Sequence, residues 1–149
     1  MSAYTQLLYQ IVFCPKYRNP CMIKEKRQEV FAYIGGVIKN NRCIPWQING
    51  MEDHLHILLK MHQSVPLASL VKDIKISSHK FIDEREFFPE FTNWQSGYAA
   101  FSYDQSAMPN LIHYIKNQEE HHKTIDYRDE YITMLEAAGI DYDERYLFD

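Results

Sequence analysis

His54 and His56 stand either side of one leucine in the stretch Asp53-His54-Leu55-His56-Ile57-Leu58-Leu59. Side chains of an extended chain switch faces at every residue. Leu55, Ile57 and Leu59 therefore share one side, and the two imidazoles share the other, roughly 7 Å apart along the strand. Imidazoles so placed can converge on one ion. They leave positions for a third ligand, water and a substrate oxygen, as a catalytic metal centre requires. The bland alternative is two unconnected polar residues on a half-wet strand, since His-x-His is short and common.

A second stretch changes the weighing. A helical pattern opening at Pro109 carries Tyr114 and Gln118, which share a face because they are four residues apart. The amide oxygen of Gln118 suits a hard divalent cation, Mg²⁺ or Mn²⁺, beside imidazoles. Asn117 and His121 lie near the same face and compete for that third position. Tyr114 would then have its phenol beside the metal. A phenol of pKa near 10 is a poor nucleophile at neutral pH. A neighbouring cation favours the phenolate, and can also polarise a phosphate oxygen and stabilise the leaving oxygen. The chemistry that fits is attack of Tyr114 on a phosphodiester, giving a covalent phosphotyrosine. Such a link keeps the bond energy, so the step can be reversed onto another strand. Tyr114 or Gln118 alone reads as a structural helix residue; only the combination is informative.

Positioning these groups falls to a short list of elements. Residues 3–14 read as a strand, with Leu7, Tyr9, Ile11 and Phe13 on one face and Gln6 and Gln10 on the other. Pro15-Lys16-Tyr17-Arg18-Asn19-Pro20 reads as a loop, and Lys16 and Arg18 flanking an aromatic could grip a phosphate and stack a base. A helix is expected over 24–40, weakened or closely packed at Gly35-Gly36. Residues 43–51 alternate again and should pair with the histidine strand as an antiparallel hairpin. Residues 66–82 read as a helix with Ser64 as its N-cap and Leu67, Leu70, Val71, Ile74, Ser78 and Phe81 buried. Its Lys72, Lys75 and Lys80 point elsewhere, as candidate contacts to a DNA backbone. A last strand is expected over 95–103 and one continuous helix over 109–122. Residues 126–149 read as an acidic C-terminal helix, stopped near Gly139, and a tail. The order β-α-β-β-α-β predicts an α+β fold of the ferredoxin-like split βαβ type. Its central antiparallel sheet would carry helices on one face, with C-terminal helices added, in one domain spanning 1–149.

Bulk properties narrow the classes. The net charge of −4 argues against a generic DNA coat. Its distribution is uneven, however: residues 1–80 hold 11 Lys and Arg against 5 Asp and Glu, whereas residues 81–149 hold 5 against 15. A basic front suits an orientated nucleic-acid binder. Three cysteines without CxxC spacing exclude a zinc ribbon. With no leader and no apolar run near membrane length, they point to a reduced, cytoplasmic protein that uses no membrane.

His54-Leu55-His56 resembles the histidine–hydrophobic–histidine motif of HUH single-strand DNA nucleases. The segments Trp94-Gln95-Ser96-Gly97-Tyr98-Ala99-Ala100-Phe101-Ser102 and Tyr114-Ile115-Lys116-Asn117-Gln118-Glu119-Glu120-His121-His122 resemble signatures of the HUH single-tyrosine transposases. That family is encoded by small single-strand insertion sequences and REP-associated elements. The resemblance spans nearly the whole chain. It implies a DNA transposase that acts as a homodimer on hairpin-forming single-stranded DNA. It also implies cleavage with a divalent metal to a free 3′-OH and a 5′-phosphotyrosine, followed by rejoining of strands. By position, Tyr114 is the implied nucleophile, His54 and His56 the metal ligands and Gln118 the third ligand, with the tyrosine helix able to act on a partner subunit's site. Three rivals remain at this stage. One is a metal-dependent phosphodiesterase using activated water; another is a domesticated single-strand endonuclease with the same site. The third is a non-catalytic single-stranded nucleic-acid-binding module.

Overall fold

Strand β3, His54–Lys60, is inaccessible to solvent along almost its whole length. Its alternation therefore does not divide a wet face from a dry one; both faces are covered, by different layers. The computed structural model describes residues 2–149. Four strands, β1 (Leu8–Phe13), β2 (Ile44–Met51), β3 and β4 (Ala99–Tyr103), form one antiparallel sheet in the order β2-β3-β1-β4. Helices α1 (Lys24–Asn40) and α2 (Leu67–Arg85) pack on one face, against Ile11, Phe13, Leu55, Ile57 and Leu59. Each such fully buried side chain contributes about 1.5–3 kcal/mol relative to exposure. The other face takes α3 (Met108–Lys116), α4 (Gln118–His121) and α5 (Tyr127–Ala137). There Val12, Cys14 and Ala99 meet Tyr127, Tyr131 and Leu135, while Leu8 and Leu58 meet Ile115. This is the expected ferredoxin-like sheet with added C-terminal helices.

The β2–β3 hairpin holds the histidine strand in register. Gly50 lies opposite Leu55, and a Cβ there would stand 2.1 Å from the His54 carbonyl oxygen. Only glycine fits so close an approach of backbones. Farther along, a bulge between Pro45 and Gln47 breaks the expected alternation of β2, leaving Ile44 and Trp46 largely exposed while Ile48 packs inward.

Several boundaries differ from expectation for identifiable reasons. The first strand begins at Leu8 and the last at Ala99, because only there do they pair with each other. Trp94 instead forms an isolated bridge to Pro15. Ser64 does not cap α2: its hydroxyl meets His62 Nδ1 at 2.7 Å, and Pro66 is the capping residue. The helix expected over 109–122 is two helices, broken at Asn117, whose side-chain amide turns back to donate to the His113 carbonyl. Among the described residues, no helix is long and apolar enough to cross a membrane.

Gly35 and Gly36 lie inside an unbroken α1. A Cβ at Gly36 would meet no atom within 4 Å, so Gly36→Ala should stabilise the protein by about 0.5–1 kcal/mol. Urea unfolding checks this, and an unchanged or lowered midpoint would contradict it.

Candidate active site

His54 and His56 point to the face covered by the C-terminal helices, and both are fully buried. Each has its Nδ1 engaged by a neighbour. His54 Nδ1 lies 2.8 Å from Asp53 Oδ1, and His56 Nδ1 lies 2.7 Å from Gln10 Oε1. Gln10, on β1, in turn donates its amide to the Tyr103 hydroxyl at 3.0 Å. Both partners accept, so both rings carry their proton on Nδ1 and turn a lone pair at Nε2 inward. His122, just past α4, repeats the device with Nδ1 donating to the Ile125 carbonyl at 2.8 Å.

What the three Nε2 atoms face is oxygen. Gln118 Oε1 lies 2.9 Å from His54 Nε2 and 3.0 Å from His122 Nε2. Glu130 Oε1, from α5, lies 3.0 Å from His56 Nε2, 3.2 Å from His122 Nε2 and 3.4 Å from His54 Nε2. Neutral imidazoles, an amide oxygen and a carboxylate are all acceptors. Five acceptors converging in a buried volume need a cation or protons between them. The ligand atoms of His54, His56, His122 and Glu130 all lie within 4.8 Å of one another. This donor set fits a divalent metal ion.

Tyr114 stands on the other side of the same carboxylate. Its hydroxyl donates to Glu130 Oε2 in a very short contact, and it also lies 3.1 Å from His121 Nε2. His121 Nε2 is itself 3.0 Å from Glu130 Oε2. Glu130 therefore links metal-type ligands on Oε1 to the phenol on Oε2. Helix α3 brings Tyr114 there because Ile115 is buried against Leu8 and Leu58. Asn49 of β2, opposite His56 in the sheet, also donates to the carbonyls of Ile115 and Lys116 at 3.0 and 3.1 Å. That bond caps the C-terminal end of α3. Tyr127 of α5 stacks on the His54 ring, with centroids 4.2 Å apart and planes 7° from parallel. A cleft of about 530 Å³, lined by Gln10, Phe101, Leu111, Tyr114, Glu130 and Met134, opens onto the phenol.

Electrostatics follow from this packing. Burial, then the charge and hydrogen bond of Glu130, push the Tyr114 phenol well above its ordinary value. Without a cation it is not a phenolate. Burial opposes the Glu130 charge, but the histidines around it, His122 first, outweigh it and hold the carboxyl far below the usual range. Burial also opposes charge on His122, yet its bond to Glu130 raises its pKa. His56 is lowered, chiefly by burial. Of the three imidazoles facing Glu130, His122 is the one whose charged form the carboxylate favours.

Of the residues singled out from sequence, His54, His56, Tyr114 and Gln118 come together here. Asn117 is turned away as the cap of α3, and His121 sits at the phenol rather than among the histidine lone pairs. His122, Glu130, Gln10 and Asp53 were not anticipated. His122 lay within the quoted signature, Asp53 opened the histidine stretch and Gln10 stood on the polar face of the first strand, whereas Glu130 carried no sequence signal. The candidate DNA contacts lie elsewhere. Lys16, Lys72 and Lys75 line one cavity between α2 and residues 93–98. Arg18 stands over the Phe148 ring at 5.2 Å, and Lys80 is exposed near Glu84. The Lys75 ammonium is engaged, donating to the carbonyls of Gln95, Ser96 and Gly97 at 2.7, 3.3 and 2.7 Å. Burial lowers its pKa to about 8. Tyr17 and Arg18 both take left-handed backbone, with φ of 60° and 55°, at a cost of about 1–3 kcal/mol each.

The Glu130–His122 pair has a definite pH window. Glu130, depressed in the folded state, contributes stability above the unfolded carboxylate value that is lost as pH falls through its folded value. His122, raised, contributes below the unfolded imidazole value and loses it as pH rises through its folded value. Glu130→Gln in chelator should therefore cost about 2 kcal/mol near pH 6. In urea titrations the gap should narrow as pH falls below the unfolded carboxylate value and again as pH rises past the folded value of His122; a gap that stays constant with pH would refute the pairing.

Comparison with known proteins gives a consistent placement. No curated protein sequence matches this chain. Among solved structures it is similar to a candidate transposase from Deinococcus radiodurans R1, with a TM-score of 0.62 and 19% identity over 79% of this chain and 95% of that one. It is also similar to a REP-associated tyrosine transposase bound to a REP hairpin, with a TM-score of 0.60 and 14% identity over 84% of this chain and 76% of that one. At these identities the likeness is one of fold. Residues 3–118, most of the chain, match the family model of IS200-like transposases, and the chain belongs to that family.

Proposed function

We propose that this protein cleaves and rejoins single-stranded DNA through a covalent bond to Tyr114. The phenol oxygen attacks a phosphodiester, the bond from phosphorus to the 3′ oxygen breaks, and the departing oxygen takes up a proton as a free 3′-OH. The 5′ side is left as a phosphotyrosine, and attack by another 3′-OH reverses the step and joins a different strand. The observation that supports this most directly is the sharing of Glu130, one oxygen toward the histidine lone pairs and the other on the Tyr114 hydroxyl.

His54, His56 and Gln118 would hold a divalent cation, Mg²⁺ or Mn²⁺, with Glu130 and His122 within reach of it. Such an ion, when bound, polarises a phosphate oxygen and favours the ionised phenol. The chain's own residues do the rest. Gln10 and Asp53 keep the lone pairs of His56 and His54 pointing inward. The cap from Asn49 and the burial of Ile115 hold Tyr114 over the site, while Glu130 and His121 lie at the atom where the phenol proton must leave.

The solved REP-associated neighbour is bound to a hairpin, and a hairpin-forming single strand in the cytoplasm is the proposed substrate here. A second copy of the chain is the proposed partner.

The test is a denaturing gel of the protein with labelled single-stranded oligonucleotides from its flanking DNA, with Mn²⁺ or with chelator. A protein-linked band should form only with metal, vanish in Tyr114→Phe and fall by about 100-fold or more in His56→Ala. Free cleavage product that survives Tyr114→Phe without any adduct would instead indicate hydrolysis by activated water.

A further inference from the structure

Two of the five acceptors at the histidine strand, His122 and Glu130, lie beyond residue 118, where the match to the family model ends. They change what the site can hold. Two imidazoles and one amide oxygen leave several positions to water, as Mg²⁺ demands, since it keeps several waters and dehydrates reluctantly. A third imidazole and a carboxylate take those positions for the protein. The donors are buried, His122 included, with only 7% of its side chain exposed. The result is a dry, nitrogen-rich set, which suits transition metals far better than Mg²⁺.

The spacing of the donors points the same way. Glu130 Oε1 stands almost evenly among the rings, 3.0, 3.2 and 3.4 Å from Nε2 of His56, His122 and His54. Donors around a four-coordinate zinc ion stand about 3.3 Å apart, given bonds near 2.0 Å. The three edges that meet at the carboxylate are therefore close to that length already. All three rings have Nδ1 engaged, so each turns Nε2 toward the carboxylate. Gln118 Oε1 touches only two of the rings, at 2.9 and 3.0 Å, so four donors suffice without it. Helix α5 is committed to the set twice, through Glu130 and through Tyr127, which stacks on His54. Cys14, Cys21 and Cys43 are buried and take no part in the cluster.

We infer that His122 and Glu130 complete a four-donor site that selects transition metals over Mg²⁺ and takes Zn²⁺ most tightly, in a closed form that cannot meet a phosphate. The inference rests on the metal centre of the strand-transfer reading but not on any reaction at Tyr114. Affinity of such a site rises from Mn²⁺ to Zn²⁺. A closed four-coordinate site keeps no position for a substrate oxygen, whereas Mn²⁺ accepts six ligands and retains one. Zn²⁺ is thus a dead-end occupant. It would also hold α5 against the sheet, with the Tyr114 hydroxyl still donating to Glu130 Oε2.

Calorimetric titration of the metal-free full chain with ZnCl₂, MnCl₂ and MgCl₂, in the absence of DNA, tests this. The wild type should bind one Zn²⁺ per chain, about tenfold or more tighter than Mn²⁺, with Mg²⁺ weakest. His122→Ala and Glu130→Gln should each weaken Zn²⁺ binding about 100-fold, the upper end of what loss of a supporting group costs. His79→Ala, at a histidine on α2 paired with Asp83, should bind like wild type. Co²⁺ in the wild-type chain gives a reading that needs no variant to fold: strong visible bands of a four-coordinate ion, without thiolate charge transfer. Weak six-coordinate bands, Mg²⁺ binding as tight as Zn²⁺, or unchanged Zn²⁺ affinity in both site variants would overturn the inference. In the gel assay, Zn²⁺ added to Mn²⁺ should suppress the adduct, and an adduct formed equally well in Zn²⁺ would contradict the closed form. Selective Zn²⁺ binding with no Tyr114 adduct in any metal would sink strand transfer and leave the selectivity standing. A Mn²⁺-dependent adduct with no preference for Zn²⁺ would do the reverse.

Discussion

Three imidazoles turn lone pairs into one dry volume, and the Glu130 carboxylate lies among them. Most of the C-terminal half is arranged around that contact. Each ring is held by an acceptor at Nδ1, from Asp53, Gln10 and the Ile125 carbonyl, so none can turn its N–H toward the oxygens it faces. Left without protons or a cation, the cluster would be a set of mutually repelling acceptors in low dielectric, where unpaired polar groups are most costly. The raised pKa of His122 is one answer available to the protein itself. A divalent ion is the other, and it would relieve more of these acceptors at once.

The burial of both faces of β3 gives this cluster its force. A ferredoxin-like sheet needs helices on only one side to make a core, and α1 and α2 provide that core. The second layer, α3 to α5, covers the polar side of the same strand. It does so with a small apolar seam, Leu8 and Leu58 against Ile115 and Val12 and Cys14 against Tyr127, interrupted by the histidines. Stability and chemistry therefore compete for the same surface. Asn49 shows how closely they are joined, because one side chain opposite His56 in the sheet also ends the helix that carries Tyr114.

The uneven charge of the chain also takes on meaning in three dimensions. The acidic second half is not only a solubilising surface, since Glu130 is one of its carboxylates and is buried at the centre of the site. Among the cations of the basic front, Lys75 is drawn inward to carbonyl oxygens and Arg18 to the ring of Phe148. Lys16 and Lys72 remain at an open cavity. Counting charges along the sequence could not make these distinctions, because exposure and partnership decide what a charge can do.

Local pattern made much of this molecule legible. The period of two in Asp53 to Leu59 set both histidines on one side of a strand, and helical spacing put Tyr114 near Gln118. The order of elements pointed to the ferredoxin-like sheet. These features depend on neighbours a few residues apart, where backbone geometry alone fixes direction. What sequence could not reveal depends on groups brought together across the fold. Glu130 reaches His56 from 74 positions away and Gln10 reaches it from 46, and no local pattern pairs either of them with that ring. Even the break at Asn117 follows from through-space contacts, for Asn49 on a distant strand takes the last carbonyls of α3. The sequence by itself determined which side chains could do chemistry and which way their strand and helix would face them. Only the tertiary structure decided which acceptors would share one dry volume, because burial and the satisfaction of lone pairs are properties of packed layers and not of chain neighbours.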